Sequence, residues 1–567
     1  MTVPDQKHRD LAVDPARSVL LQAPAGSGKT AVLLLRYLRC LAVVEQPEQV
    51  LAISFTNKAA AEIRQRVIAA LRKPPEGEAD WELALKRAVQ AVRARDEQQG
   101  WRLLEHPGRM RIQTFDSFCI SLARRRPLLA GVGALSPAAD PAALYRDAVL
   151  SLFAELDKSD IDPALEDALG GLLAYASNRI EQLVPLLGNL LSKREQWMPG
   201  LLGGDMDAVA AVLADRLEAR WAELLDSLNQ FDFSELTEAL TMAAAGQEVL
   251  SWAAQADFSH QYWRQLANFL LTGSQGSKRS LRKKVDKRLG FDAKSPYKPA
   301  VQNWLQAHQD SGIEETLQAI AGLPDPELPA EVEILCERFR VALTYLLAHL
   351  RLQFERSGEM DFTEIGFAAI AALRWGESGL EDAPGEALLE EDRIQHVLID
   401  EMQDTSVNQI QLLENLVSHW QPDESRSLFF CGDLMQSIYR FRGALVGLFQ
   451  NLVNADSFAG QPLEKLRLNA NFRSSPAVVE WVNHQFAPLI SEDQGFVRAH
   501  PQQTVDGLVH CHRVAQADDK QARMAEAHTA LDLIQRFVEQ EPEGSLAVLV
   551  RSRGHLAELI PLLRDNN

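Results

Sequence analysis

The chain has 567 residues, a length that suggests several domains rather than one. Its 46% hydrophobic and 24% charged residues are ordinary for a globular protein, and no run approaches the roughly 18–20 apolar residues of a membrane span. A net charge of −20 excludes a general attraction to nucleic-acid phosphates, so any such binding must rest on local patches.

The first residues are polar, with no apolar signal core, which points to a cytoplasmic protein. The chain then reads as α/β. Residues 18–23 (SVLLQA) form a short apolar run ending in a Pro/Gly/Ser loop, and a helix-compatible stretch starts at Thr30. Residues 49–55 make a second buried-strand candidate, followed by an Ala-rich helix over 57–71. Strands alternating with helices imply a parallel sheet. From about 126 to 345 the text turns Ala/Leu/Glu-rich with helical periodicity, the mark of a mostly helical insertion. Strand candidates resume at 396–400, 427–432 and 546–551. Cys40, Cys119, Cys336, Cys431 and Cys511 have no CxxC spacing and make neither a zinc motif nor a disulfide framework. Between Lys278 and Lys298 nine Lys and Arg face two Asp, either a solvated helix face or a contact to a nucleic-acid backbone.

Chemistry concentrates at two places. Ala23, Pro24, Ala25, Gly26, Ser27, Gly28, Lys29 and Thr30 spell a phosphate loop with Ala in its first position, set between a strand and a helix. The glycines let backbone N–H groups converge on phosphate oxygens, and the helix N-terminus adds positive partial charge. Lys29 is placed to reach the β- and γ-phosphates of ATP, and the Thr30 hydroxyl to ligate Mg²⁺. Such a loop needs a carboxylate from a neighbouring strand. Asp400, at the end of the apolar run 396–399, fits as the Mg²⁺ ligand, and Glu401 as the group that polarises the attacking water.

A phosphate loop identifies a nucleotide hydrolase without naming its work. Five further strings do: FTNKAAAEI at 55–63, TFDSFC at 114–119, DEMQDTS at 400–406, GDLMQSIYRFRGA at 432–444 and LNANFRSS at 468–475. Together with the loop, and in this order, they resemble motifs I, Ia, Ib, II, III and IV of superfamily 1A helicases, the UvrD/Rep group. The loop opening, the Asp of 114–119 and the long insertion resemble the RecB and AddA recombination subunits within it, and the DFTE string at 361–364 resembles one found upstream of motif II.

The resemblance implies a RecA-like P-loop motor domain with a large helical inserted subdomain and the start of a second RecA-like domain. The expected boundaries are 1–125 and 346–460 for the first motor domain, 126–345 for the insertion, and 461–567 for the beginning of the second. It implies an ATP- and Mg²⁺-dependent 3′→5′ helicase or translocase on single-stranded DNA, in repair or recombination, and a nuclease or helicase partner subunit. Gln436 is implied as the γ-phosphate sensor, Arg473 as the cation on the transferred phosphoryl group, Phe472 as the ring that packs on adenine, and Gln403 as the group that positions water or γ-phosphate. Thr56, Asn57, Lys58 and Thr114 are implied as backbone-phosphate contacts. Tyr439, Phe441 and Arg442 are implied as single-strand contacts; aromatics interleaved with arginines suit base stacking.

Two departures stand out. The family's adenine-reading glutamine has His8 or Arg9 in its slot, with Gln6 a small register shift away. Motifs V and VI, with a second arginine, do not occur before Asn567, and the chain is read as the N-terminal portion of a longer motor. An alternative of another class stays open: a DNA-binding assembly subunit that binds ATP and hydrolyses little of it.

Overall fold

The computed structural model describes residues 3–565, apart from 78, 126–135, 203–205, 246, 255–256, 274–278, 293, 310, 324–329, 375–393, 422–424, 439–444, 491–494 and 515–518. Its strands are β1 (Val19–Gln22), β2 (Val50–Ser54), β3 (Arg111–Thr114), β4 (Ser136–Pro137), β5 (Glu359–Met360), β6 (His396–Ile399), β7 (Ser427–Gly432), β8 (Ser457–Phe458), β9 (Gln461–Pro462), β10 (Glu464–Arg467), β11 (Ala470–Asn471) and β12 (His500–Pro501). Six of them form one sheet in the order β10-β1-β7-β6-β2-β3, every neighbouring pair parallel. The parallel sheet expected from alternating strands and helices is therefore present.

Strand periodicity feeds two cores. Val19 and Leu21 of β1 face one side with Val50 and Ala52 of β2, Leu398 of β6, and Phe429 and Cys431 of β7. The intervening Leu20, Leu51, Ile53, Val397, Ile399, Leu428 and Phe430 face the other. A sheet buried on both faces needs strands that are apolar throughout, which is why these runs do not alternate with polar residues. Helices α1 (Gln6–Ala12), α2 (Lys29–Leu41), α3 (Asn57–Arg72) and α4 (Asp80–Gln99) precede β3; α2, α3 and α4 bury their apolar stripes on the first face. Helix α5 (Phe115–Arg125) and the helices Phe362–Arg374 and Val407–Val417 cover the second.

The insertion is helical, as expected, and holds two cores of its own. One gathers Trp221, Phe233, Leu266, Phe291 and Trp304; the other packs helices Pro141–Phe153, Pro163–Tyr175 and Ile180–Ser192 on the 28-residue helix Ala330–Ser357. That helix runs straight through the boundary expected at 345/346. The helical body closes instead where β4 and β5, the strands that lead into and out of it, pair with each other. The boundary expected at 460/461 moves as well, because β10 is an edge strand of the main sheet, hydrogen-bonded along β1. The strand expected at 546–551 does not form: Leu549 is 93% exposed, and an apolar run pairs as a strand only where another strand and a covering layer meet it. Among the described residues, no helix is long and apolar enough to cross a membrane.

The insertion is pinned to the sheet by buried charge. Arg194 forks onto both oxygens of Asp361, at 2.6 and 2.7 Å, and reaches Glu364 at 3.1 Å, while lying near the rings of Phe354 and Phe367. Tyr145 donates a further hydrogen bond to Asp361, which also caps the following helix by accepting from the Glu364 amide. Burial would raise the Asp361 carboxyl, but Arg194 outweighs it and holds the group below its ordinary range. Replacing Arg194 with Ala strands that carboxylate, and a loss of about 3–5 kcal/mol is expected. Urea denaturation of Arg194→Ala checks this; an unchanged midpoint contradicts the pinning role.

Candidate nucleotide site

The carboxyl ends of β1, β6 and β7 lie side by side, so the loops leaving them converge. After β1 the chain turns through Gly26 at φ 80° and Gly28 at φ 81°, left-handed values that favour glycine, and Gly28 opens α2. A side chain at Gly26 would also meet Asn471, whose atoms lie 2.8 Å from where a Cβ would stand. The loop is anchored by the Ala23 amide donating to Gly432 and the Ser27 amide to Pro24.

Lys29 faces the end of β6. Its ammonium lies 2.6 Å from Glu401 and 3.6 Å from Asp400. Burial alone would depress the Lys29 ammonium, yet Asp400, Cys431 and Glu401 hold it above its ordinary value. Asp400 is pushed up by burial; Lys29 draws it down in part, and the adjacent Glu401 carboxylate pushes it further up. Two carboxylates thus share one ammonium, an arrangement with net negative charge. Asp400 Oδ1 is buried with no hydrogen-bond donor, and the half-buried Thr30 lies one residue beyond Lys29 on the same helix turn. Hard oxygen donors beside negative charge fit a Mg²⁺ ion, and Asp400 and Thr30 are the residues that could hold one.

Glu401 sits in the left-handed region at φ 58°, rare for a residue with a side chain and a mark of local backbone constraint. Its carboxylate is held by Gln403. The Gln403 amide donates to Glu401 Oε2 at 2.8 Å and its oxygen accepts from the Asp433 amide at 3.0 Å, tying β6 to the loop after β7. Gly432 is required at that crossing, since a Cβ would stand 2.8 Å from the Gln403 oxygen. Gln436 donates to Asp433 in the same loop. The loop's far end returns to the site, with Ser437 bonded to the Gln403 carbonyl and the Leu445 amide to Thr405.

From the other side comes the segment after β10. Asn471 donates to the Ala25 carbonyl, and the Phe472 amide to the Gly26 carbonyl at 2.8 Å, so Phe472, a residue 38% exposed, borders the loop. Arg473 is exposed beside it.

Residues 5–456 match the model of the UvrD/REP helicase N-terminal domain. The chain belongs to the UvrD/REP helicase family. It is also similar to bacterial proteins named as ATP-dependent helicase/nuclease subunits. To that of Latilactobacillus sakei subsp. sakei (strain 23K) it is 27% identical over 528 residues, covering 85% of this chain and 55% of the relative. The protein of the same name from Exiguobacterium sibiricum is 28% identical over 514 residues, with 84% and 39% covered, and that from Lysinibacillus sphaericus (strain C3-41) 25% over 516 residues, with 84% and 39%. The chain thus spans between about two fifths and about half the length of these relatives.

In this UvrD/REP-family chain the second row of expected residues lies at the ends of β2 and β3, next along the same sheet edge. Asn57 and Lys58 are exposed at the start of α3, which Thr56 caps by accepting from the Ala59 amide. Thr114 is buried, and its hydroxyl closes the turn onto Ser117, so it shapes this edge rather than offering a free hydroxyl. Tyr439, Phe441 and Arg442 lie outside the described residues. Within the basic stretch, Arg279 is spent on Asn268 and Arg282 on the Phe269 carbonyl, both inside the insertion; Lys283, Lys284, Lys287 and Arg288 remain exposed.

Asp5 is the group that sequence reasoning missed. It is buried, accepts from the Asn469 and Ala470 amides at 2.7 and 2.9 Å, and pairs with Arg9, whose guanidinium donates on to the Ser27 carbonyl at 2.7 Å. Gln6 turns its amide away, to Asp10, and His8 contacts the Arg467 carbonyl, so Arg9 is the residue of this turn that meets the phosphate loop. A lone acidic residue near a chain start carries no sequence signal for such a junction. Burial raises the Asp5 carboxyl, but Arg9 and the two amides outweigh it and leave the group below its ordinary 3.8. A carboxyl lowered by folding stabilises the fold above its unfolded value and loses that contribution as pH falls through the folded value. The stability gap between the unsubstituted chain and Asp5→Asn should therefore hold steady from neutral pH to about 5 and shrink below 3.8, as paired urea titrations would register.

Proposed function

We propose that this chain is the ATP-driven motor portion of a DNA helicase that moves 3′→5′ along single-stranded DNA in repair or recombination. Membership of the UvrD/REP helicase family supports the helicase part of the reading; the observation that carries its ATP-driven part is Lys29 held 2.6 Å from Glu401, beside an Asp400 oxygen with no hydrogen-bond partner, at the mouth of a glycine loop opening a helix. Lys29 and the loop amides bind the phosphates of ATP, and Thr30 and Asp400 hold the accompanying cation. That cation supplies charge neutralisation on the phosphate oxygens. Glu401, freed from Lys29 when phosphate takes the ammonium, orients and polarises the attacking water, while Gln403 keeps its carboxylate on the β6 side. Arg473, in the segment after β10, and Gln436, in the loop after β7, are assigned in this reading to meet transferring charge and to register its loss.

The link from hydrolysis to movement runs through Gln403. It bonds Glu401 on one side and Asp433 and Ser437, ahead of the segment that contains Tyr439, Phe441 and Arg442, on the other; two residues on, the Thr405 carbonyl accepts from the Leu445 amide just past that segment. Loss of γ-phosphate at Glu401 therefore shifts the anchors of the proposed single-strand platform, and Asn57 and Lys58 grip the backbone from the neighbouring edge. ATP closes against a second RecA-like domain that begins after β10. The relatives are named as subunits of a helicase/nuclease, which suggests work alongside a partner chain, and a cytoplasmic location suits the reading.

In the full protein, Glu401→Gln should leave ATP·Mg²⁺ binding intact and slow single-strand-stimulated hydrolysis by about 10²–10⁴-fold. Hydrolysis at the unsubstituted rate removes Glu401 from its assigned role. A fluorescence-anisotropy titration tests the DNA edge: Lys58→Ala should weaken binding to all single-stranded sequences alike and reduce the salt slope by about 0.7. Loss confined to particular sequences argues against a backbone contact.

A further inference from the structure

Arg9 carries the next step. Its Nε and Nη2 are committed to Asp5 and the Ser27 carbonyl. Its Nη1 makes no hydrogen bond among the described residues and lies 3.4 Å from where a Cβ on Gly28 would stand. The guanidinium is 5.1 Å from the centroid of the Phe472 ring, and that ring also reaches within 3.7 Å of the same Gly28 position. Lys29 points to Asp400 and Glu401, which marks the γ-phosphate end of the loop; the Gly28 side, with Arg9 and Phe472, is left for the nucleoside.

An exposed ring beside a donor-only cation makes a particular kind of base site. Arginine offers N–H groups and no acceptor, whereas an amide side chain offers one of each. The outer edge of adenine presents an acceptor, N7, beside a donor, the N6 amine; that of guanine presents two acceptors, N7 and O6. The acceptors nearest Arg9 are each already engaged, whereas Nη1 has no hydrogen-bond partner among the described residues and can only donate. Both Asp5 oxygens already take Arg9 or the Asn469 and Ala470 amides, and the Ser27 carbonyl takes Arg9.

We propose that Arg9 reads the base of the bound nucleotide through N7 while the base stacks on Phe472, and that this site accepts guanine nucleotides at least as well as adenine nucleotides. The inference rests on the nucleotide site proposed above and narrows its substrate to purine triphosphates without adenine selectivity.

The test is displacement of a fluorescent ATP analogue from the full chain by ATP, GTP, CTP and 7-deaza-ATP, each with Mg²⁺. ATP and GTP are expected within about threefold of each other, with CTP and 7-deaza-ATP weaker by about tenfold or more, the scale on which one mismatched edge discriminates. Arg9→Gln, which restores an acceptor beside a donor, should then favour ATP over GTP by about tenfold. A tenfold or greater preference for ATP in the unsubstituted chain overturns the inference while leaving the nucleotide site standing. The same holds if 7-deaza-ATP binds as tightly as ATP. Failure of every nucleotide to bind overturns the site and the inference together. These ratios are read on the unsubstituted chain, so the proposal stays testable even if Arg9→Gln fails to fold.

Discussion

A parallel sheet buried on both faces leaves one place for chemistry, the edge where its strands end. Here β1, β7 and β6 are apolar from end to end because α2, α3 and α4 cover one side and α5 with two later helices the other. Charge cannot enter those layers without a partner. Lys29, Asp400 and Glu401 therefore stand at the carboxyl ends, where helix α2 begins and the loops open to solvent, as ligand sites in open α/β sheets do. The sheet order sets the division of labour along that edge, with the phosphate loop and its carboxylates at β1, β7 and β6 and the exposed Asn57 and Lys58 beyond β2.

Segments hundreds of residues apart are held at this edge by hydrogen bonds to charged groups, which are stronger and more directional than neutral ones. Asp5 gathers the two amides after β10 and, through Arg9, the phosphate loop. Arg194 locks the insertion onto Asp361, and the neighbouring Glu195, its carboxyl raised by burial, accepts from Ser406 just past the acidic motif. The helical insertion thus touches the same turn that carries Glu401 and Gln403.

The electrostatic balance at the site also accounts for its poise. One ammonium between two carboxylates satisfies neither, and the left-handed backbone at Glu401 adds constraint. Under the proposed function, a phosphate group would compete for Lys29 and a cation for Asp400, and both would relieve this imbalance.

The phosphate loop, the Asp400–Glu401 pair and the parallel sheet were legible in the residues themselves. Glycine spacing between a strand and a helix, and carboxylates ending an apolar run, are local patterns with local physical causes. The helical character of the insertion was legible for the same reason, through its periodicity. Where local pattern and long-range pairing part, only the tertiary structure decides. Residues 464–467, expected at the start of the second motor domain, form an edge strand because β1 lies open beside them; 546–551 look like a strand and find no partner among the described residues. His8 and Arg9 both fit the slot in the string, with Gln6 a register shift away, but α1 aims Arg9 at Ser27, His8 at the Arg467 carbonyl and Gln6 at Asp10. Asp5 becomes a junction only because folding brings residues 469 and 470 to it across more than 460 positions, a closeness no local pattern encodes.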